Sequence, residues 1–192
     1  MDREANLNLK NYGKSFYWAR FFLPREVATS ATYLYSFCRL LDDIADGDLP
    51  GGVERLVNIK SQIQGKESIT EIKVDQFLKL ADAYNIDLEI IHQLLLGLIE
   101  DTDCSNNLLL SKSDLLQYSF RVAGTVGLMM APILGAKDQK AYPFAIDLGI
   151  AMQLTNIGRD VLEDAKLGRR YIPADWCDGI TPPDIIRISE DP

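Results

Sequence analysis

The residues best suited to chemistry lie in one run, Gln153-Leu154-Thr155-Asn156-Ile157-Gly158-Arg159-Asp160-Val161-Leu162-Glu163-Asp164. Read as helix, Asn156, Asp160 and Asp164 fall at i, i+4 and i+8 and share one face, with Gln153 a turn earlier on nearly the same face. Ile146, Leu148, Ile150, Ala151, Leu154, Ile157 and Val161 around them are apolar. The pattern predicts a buried helix with a polar stripe turned inward. Buried carboxylates are costly unless paired; a Lys or Arg would serve, and so would a divalent cation.

A second run, Arg39-Leu40-Leu41-Asp42-Asp43-Ile44-Ala45-Asp46, sets Asp42 and Asp46 one turn apart, with Arg39 about one turn earlier. Its lead-in, Val27 to Leu41, is mostly apolar and aromatic. Acids at a helix C-terminus are disfavoured by the macrodipole, so three of them there need a reason beyond a solvated helix end, and metal is a good one. Two such helices, face to face, would hold hard cations between them. Mg²⁺ takes oxygen ligands, keeps waters and bridges carboxylates to phosphate oxygens. The combination suggests a diphosphate substrate in an all-helical pocket.

Four blocks extend the pattern. They are Ser15-Phe16-Tyr17-Trp18-Ala19 with Phe22-Leu23-Pro24; Leu34-Tyr35-Ser36-Phe37-Cys38-Arg39 leading into Asp42–Asp46; Tyr118 with Arg121 to Met130; and Gln153 to Asp164 continuing through Gly168-Arg169-Arg170-Tyr171-Ile172-Pro173 to Trp176. In order and separation they resemble the squalene/phytoene synthases, the head-to-head prenyl synthases, and within that group the bacterial and plastid-type phytoene synthases. The resemblance spans nearly the whole chain.

That resemblance implies an all-α, isoprenoid synthase (terpene synthase-like) helical bundle, one domain over residues 1–192. Family members continue for several more helices, so the chain is expected to be C-terminally short, the N-terminal portion of the family domain. The implied reaction joins two allylic diphosphates, here geranylgeranyl diphosphate, through a cyclopropylcarbinyl diphosphate to phytoene. Mg²⁺, with Mn²⁺ as an alternative, is implied on Asp42, Asp46, Asn156, Asp160 and Asp164, and phytoene formation needs no NADPH. Arg39 and Arg159 match diphosphate ligands, and Ser15 a further diphosphate contact. Trp18 and Phe22 match prenyl-pocket residues; Tyr35, Gly127 and Gln153 match substrate-binding positions, and Tyr118 a tyrosine near the reacting carbons. The four acids and Tyr118 are the implied catalytic set. Gly168 to Tyr171 resembles a loop that closes over diphosphate.

The sequence also predicts the elements that must hold this site. A helix opens at Pro24 and ends near Ala45, before Gly47. Further helices are expected over Val53–Gln64, Glu71–Tyr84 and Asp87–Asp101. The next is capped by Ser113 and runs through Tyr118 and Arg121 to about Leu134; another spans Ala141–Ala165, and one more begins at Pro182. Glycines 124 and 127 in a helix interior cost up to roughly 1 kcal/mol each against alanine. They suit tight helix packing, or, by the resemblance, room for a prenyl chain. Asn106 to Leu110 departs from the family pattern. His92 reads as structural.

At 192 residues with 47% hydrophobic and 25% charged residues, the chain fits a single globular domain. A net charge of -8 argues against nucleic acid as a partner. Cys38, Cys104 and Cys177 lack metal-type spacing and suit a reducing compartment. The N-terminus lacks an apolar core of signal type, and no apolar run reaches membrane-span length. A cytoplasmic protein is expected, with transient contact at a membrane surface because the product is a lipid; the oligomeric state is left open. Two other readings stand beside the main one: a squalene or dehydrosqualene synthase using farnesyl diphosphate, and a non-catalytic scaffold or assembly protein on the same fold.

Overall fold

The computed structural model describes residues 18–102 and 111–190, and every regular element among them is helical. Ser15, Cys104 and the Asn106–Leu110 departure lie outside the described residues. A 3-10 turn, Arg20–Phe22, leads into α1, Arg25–Ala45. Then follow α2, Gly52–Ile63; α3, Ile72–Ala83; α4, Leu88–Thr102; and α5, Lys112–Ser119. A π-helical segment, Phe120–Gly124, joins α5 to α6, Thr125–Ile133. The last helices are α7, Ala141–Arg159; α8, Val161–Lys166; and α9, Pro182–Glu190.

The main core lies among α1, α2, α3, α4 and α6. Phe37 and Phe77 stack with ring centroids 4.0 Å apart, ringed by Leu34, Leu41, Ile44, Leu56, Ile59, Ile91, Leu94 and Met129. Each lies on one stripe of its helix, as the 3.6-residue period requires. A smaller cluster of Leu115, Ile157 and Tyr171, with Tyr118 and Leu154 against it, ties α5, α7 and the segment after α8 together. That second cluster positions the site.

Helix ends follow local chemistry. Pro24 precedes α1 with its ring-fixed φ of -53°. Past α1, Gly47 takes φ +82°, the left-handed stop expected there. The cap of α5 is Ser111 rather than Ser113: Ser111 Oγ accepts from the Asp114 backbone N–H while the Asp114 carboxylate accepts from the Ser111 N–H. This capping box satisfies two helix-end donors at once, which Ser113, two residues inside, cannot do.

Two expectations change in the structure, and the packing reading of the glycines holds. The predicted helix Ala141–Ala165 breaks at Asp160 (φ -102°, ψ 17°) into α7 and α8. The helix is also not buried all round. Ile146 and Ile150 lie beside Gly124, but on the far face Phe144 is 75% and Leu148 63% exposed, with no element over them among the described residues. The glycines serve helix packing. A Cβ on Gly127 would stand 2.1 Å from the Ala145 carbonyl oxygen of α7, and one on Gly149 would stand 2.4 Å from the Ala123 carbonyl oxygen. No helix among the described residues is long and apolar enough to cross a membrane.

Candidate active site

The C-terminal end of α1 faces the α7–α8 junction across a cavity of about 250 Å³. Asp42 and Asp46 line one side, and Gln153, Asn156, Asp160 and Asp164 the other, so the two predicted acidic stripes do meet. The break at Asp160 leaves the register intact, because the Asp164 N–H still donates to the Asp160 carbonyl at 2.8 Å. Leu98, Val122, Ile157 and Ala45 supply the apolar part of the lining, and Asp101, Tyr118, Arg169 and Tyr171 complete it.

The electrostatics show a pocket short of positive charge. Burial, reinforced by Asp46, pushes the Asp42 carboxyl up to about 7. Burial and the neighbouring Asp160 push Asp164 up to about 6. Asp101 is also raised, mainly by burial, against the pull of hydrogen bonds from Tyr171 and Tyr118 and the charge of Arg169. Asp160 goes the other way: Arg159 donates to it at 2.6 and 2.5 Å and lowers its carboxyl. Arg169 is the only basic residue among the described lining residues, and it reaches Asp46 at 3.1 Å.

The donor set, carboxylates with two carboxamides, is all oxygen and thus fits a hard divalent cation. Among the described residues no three acidic, histidine or cysteine side chains already converge on a single point. The carboxylates instead face each other across open space. Bridging by a ligand's own oxygens suits that arrangement better than an all-protein cage.

Other predicted residues sit apart from the cavity. Arg39 pairs with Asp43 at 2.6 Å and approaches Asp48 at 3.8 Å, and its charge also acts on Asp42. Arg159 is exposed beside Asp160. Tyr35 is half-buried, its hydroxyl raised chiefly by burial. Trp18 is 67% and Phe22 88% exposed, and neither lines the cavity. Gly127 packs against α7 rather than lining it.

Sequence reasoning missed Asp101, which it placed only as the last residue of a helix. Both Asp101 carboxylate oxygens accept from the Tyr171 hydroxyl, at 2.7 and 2.9 Å, and one accepts from Tyr118 at 3.2 Å. No helical repeat links Asp101 to another acid, so its signal was lost. Tyr171 was legible only as part of the loop block. It stacks on Tyr118 with centroids 4.9 Å apart and 17° between planes.

Comparison with known proteins gives the family and the fold. The family model described as squalene/phytoene synthase matches residues 9–191. A 15-cis-phytoene synthase of Paracoccus sp. is 33% identical over 177 residues, 86% of this chain and 57% of that protein. One from Enterobacter agglomerans is 34% identical over 181 residues, 88% of this chain and 61% of that protein. A dehydrosqualene synthase crystal structure, solved with a ligand, superposes with a TM-score of 0.75 at 32% identity, covering 90% of this chain and 60% of that one. The chain thus spans about three-fifths of the length of these relatives. With a match that takes in nearly every residue from the first aromatic block to the last helix, this chain belongs to the squalene/phytoene synthase family.

Proposed function

We propose that this chain carries the diphosphate-handling half of a phytoene synthase-type prenyltransferase, which condenses two geranylgeranyl diphosphates head to head. The observation that carries the reading is the meeting of two acidic helix ends across one cavity, with a tyrosine pair and apolar side chains in the same wall. A cavity of about 250 Å³ falls below the roughly 300–1,000 Å³ of drug-sized sites, so it suits the charged head of a substrate rather than two prenyl tails.

Asp42, Asp46, Asn156, Asp160 and Asp164 would hold Mg²⁺ or Mn²⁺. The cation, when bound, neutralises the diphosphate and so assists its departure. Arg169, already in the wall beside Asp46, adds positive charge where the leaving group collects it. Arg159 reaches the same region once released from Asp160. Leu98, Val122 and Ile157 keep the reacting end dry, which protects an allylic cation from water. The aromatic faces of Tyr118 and Tyr171 offer electron-rich surface to that cation.

The test is product analysis. The chain is supplied with geranylgeranyl diphosphate and Mg²⁺ without NADPH, alongside Asp160→Asn. Phytoene from the parent, falling by at least about 10²-fold in the variant, is expected for loss of an electrostatic contact made in the transition state. Folded protein that yields no hydrocarbon and binds no diphosphate in the presence of Mg²⁺ would turn the reading toward a scaffold. A second reading, condensation of farnesyl diphosphate, is favoured by the likeness to a dehydrosqualene synthase. Competing the two substrates in one reaction separates them.

A further inference from the structure

We propose that Asp101 is the positioning residue of the site: it fastens Tyr118 and Tyr171 as one unit in the cavity wall, with both phenol oxygens presented as acceptors. The inference deepens the proposed function and rests on it.

Three elements far apart in sequence converge on this carboxylate. Asp101 lies in the last turn of α4, Tyr118 in α5, and Tyr171 in the segment after α8. Two phenols stacked 17° from parallel bring their hydroxyls to a common edge. A carboxylate has two oxygens and only accepts when ionised, so it can hold both hydroxyls at once, and here it does. An asparagine keeps one accepting oxygen but puts a donating amide where the second carboxylate oxygen accepts from Tyr171.

Both hydroxyl protons stay within the cluster, on Asp101 and, for Tyr118, also on the Tyr171 oxygen, so the remaining phenol lone pairs are what the pair has left to offer. Bonding to an anion also raises electron density on those oxygens. Groups arranged this way stabilise electron-deficient carbon; they do not bind diphosphate, which wants donors. Asp101 thus serves a cationic step rather than substrate capture. The same carboxylate steadies the loop over the cavity, since Tyr171 is held by Asp101 while Arg169, two residues earlier, is held by Asp46.

The experiment compares the full chain with Asp101→Asn, Asp101→Glu and Tyr171→Phe. Tyrosine Cζ signals are read by NMR on ¹³C-tyrosine-labelled protein, and kcat and KM are read with geranylgeranyl diphosphate and Mg²⁺. In folded Asp101→Asn the Tyr118 and Tyr171 signals move and those of other tyrosines stay. Its kcat falls about 10²-fold, the scale of a misplaced reacting group, while KM stays within about twofold because ground-state binding is untouched. Asp101→Glu recovers part of kcat. Unmoved ring signals overturn the proposal, and so does a raised KM at parental kcat. If Asp101→Asn does not fold, Tyr171→Phe decides: removing one donor must shift the Tyr118 signal, and an unmoved signal overturns the shared anchor. If the parent chain makes no hydrocarbon, the proposed function fails, and the ring signals alone judge the positioning.

Discussion

Two carboxyls in the cavity wall, Asp42 and Asp164, hold protons at pH values where an exposed aspartate has lost them. Their values, about 7 and about 6, stand above the ordinary value of roughly 3.9. The folded chain therefore binds protons that the unfolded chain releases. Where the native state holds more protons, stability falls as pH rises. For these groups the fall begins near pH 4 and levels off near pH 7. A tenfold change in proton affinity is worth about 1.4 kcal/mol, so the effect is measurable. Without added metal, the chain is expected to melt higher at pH 5 than at pH 8. Mg²⁺ is expected to raise the melting temperature more at pH 8, where the carboxylates are ionised and free to bind it. Calorimetry across that range checks both; a flat profile, or equal Mg²⁺ stabilisation at both ends, would contradict the pocket's shortage of positive charge. Arg169 belongs to the same balance. It opposes the upward push on Asp101 and Asp164 and pairs with Asp46. Arg169→Gln should therefore lower the melting temperature at pH 8 by more than at pH 5.

At the scale of elements, the fit of α6 and the π-helical segment to α7 decides whether the two acidic stripes meet. Gly127 lies against the Ala145 carbonyl, and Gly149 against Ala123 and Gly124. Helix backbones come this close only where a Cβ is missing. Gly127→Ala would gain up to about 1 kcal/mol of helix propensity, but its new carbon would overlap a backbone oxygen that cannot rotate away. Overpacking of this kind typically costs about 1–3 kcal/mol. A net loss is expected, read as a melting point lowered by roughly 2–4 °C for each kcal/mol lost. A Gly127→Ala chain as stable as the parent would show that α6 can slide. The same elements show what the sequence could disclose. The i, i+4, i+8 spacing of Asn156, Asp160 and Asp164 and the Asp42–Asp46 pair were legible, because a helix turns a linear repeat into a shared face. The helix extents were close for the same reason. Asp101 was not legible, since its partners, Tyr118 and Tyr171, come from other elements. Nor was the ion pair of Arg39 with Asp43: positions three and four residues on both lie within reach, and sequence spacing alone does not choose between them. The break at Asp160 was hidden as well, because the i, i+4, i+8 polar stripe runs straight through it.

At the scale of the whole molecule, α7 has one side committed to α6 and the other to solvent. Phe144, Leu148 and Met152 stand at i, i+4 and i+8 on the solvent side, and all three are exposed. A continuous apolar stripe is costly in water, at about 25 cal/mol for each Å² left uncovered, and large exposed apolar patches mark association surfaces. The inward side of the same helix carries Gln153, Asn156 and Asp160, so the helix is amphipathic in reverse, with its polar stripe facing the cavity and its apolar stripe facing out. That inversion is why the apolar residues around the motif predicted burial that the described residues do not provide. The chain on its own is therefore expected to self-associate through α7. Phe144→Ser combined with Leu148→Gln should shift sedimentation toward the monomer and lower binding of an apolar dye, with helix content unchanged by circular dichroism. Neither residue lines the cavity, so Mg²⁺-dependent stabilisation should survive in the double variant. If the parent sediments as a monomer and binds no dye, the stripe is not an association surface, and the exposed face of α7 would have to be covered by some rearrangement of the chain itself.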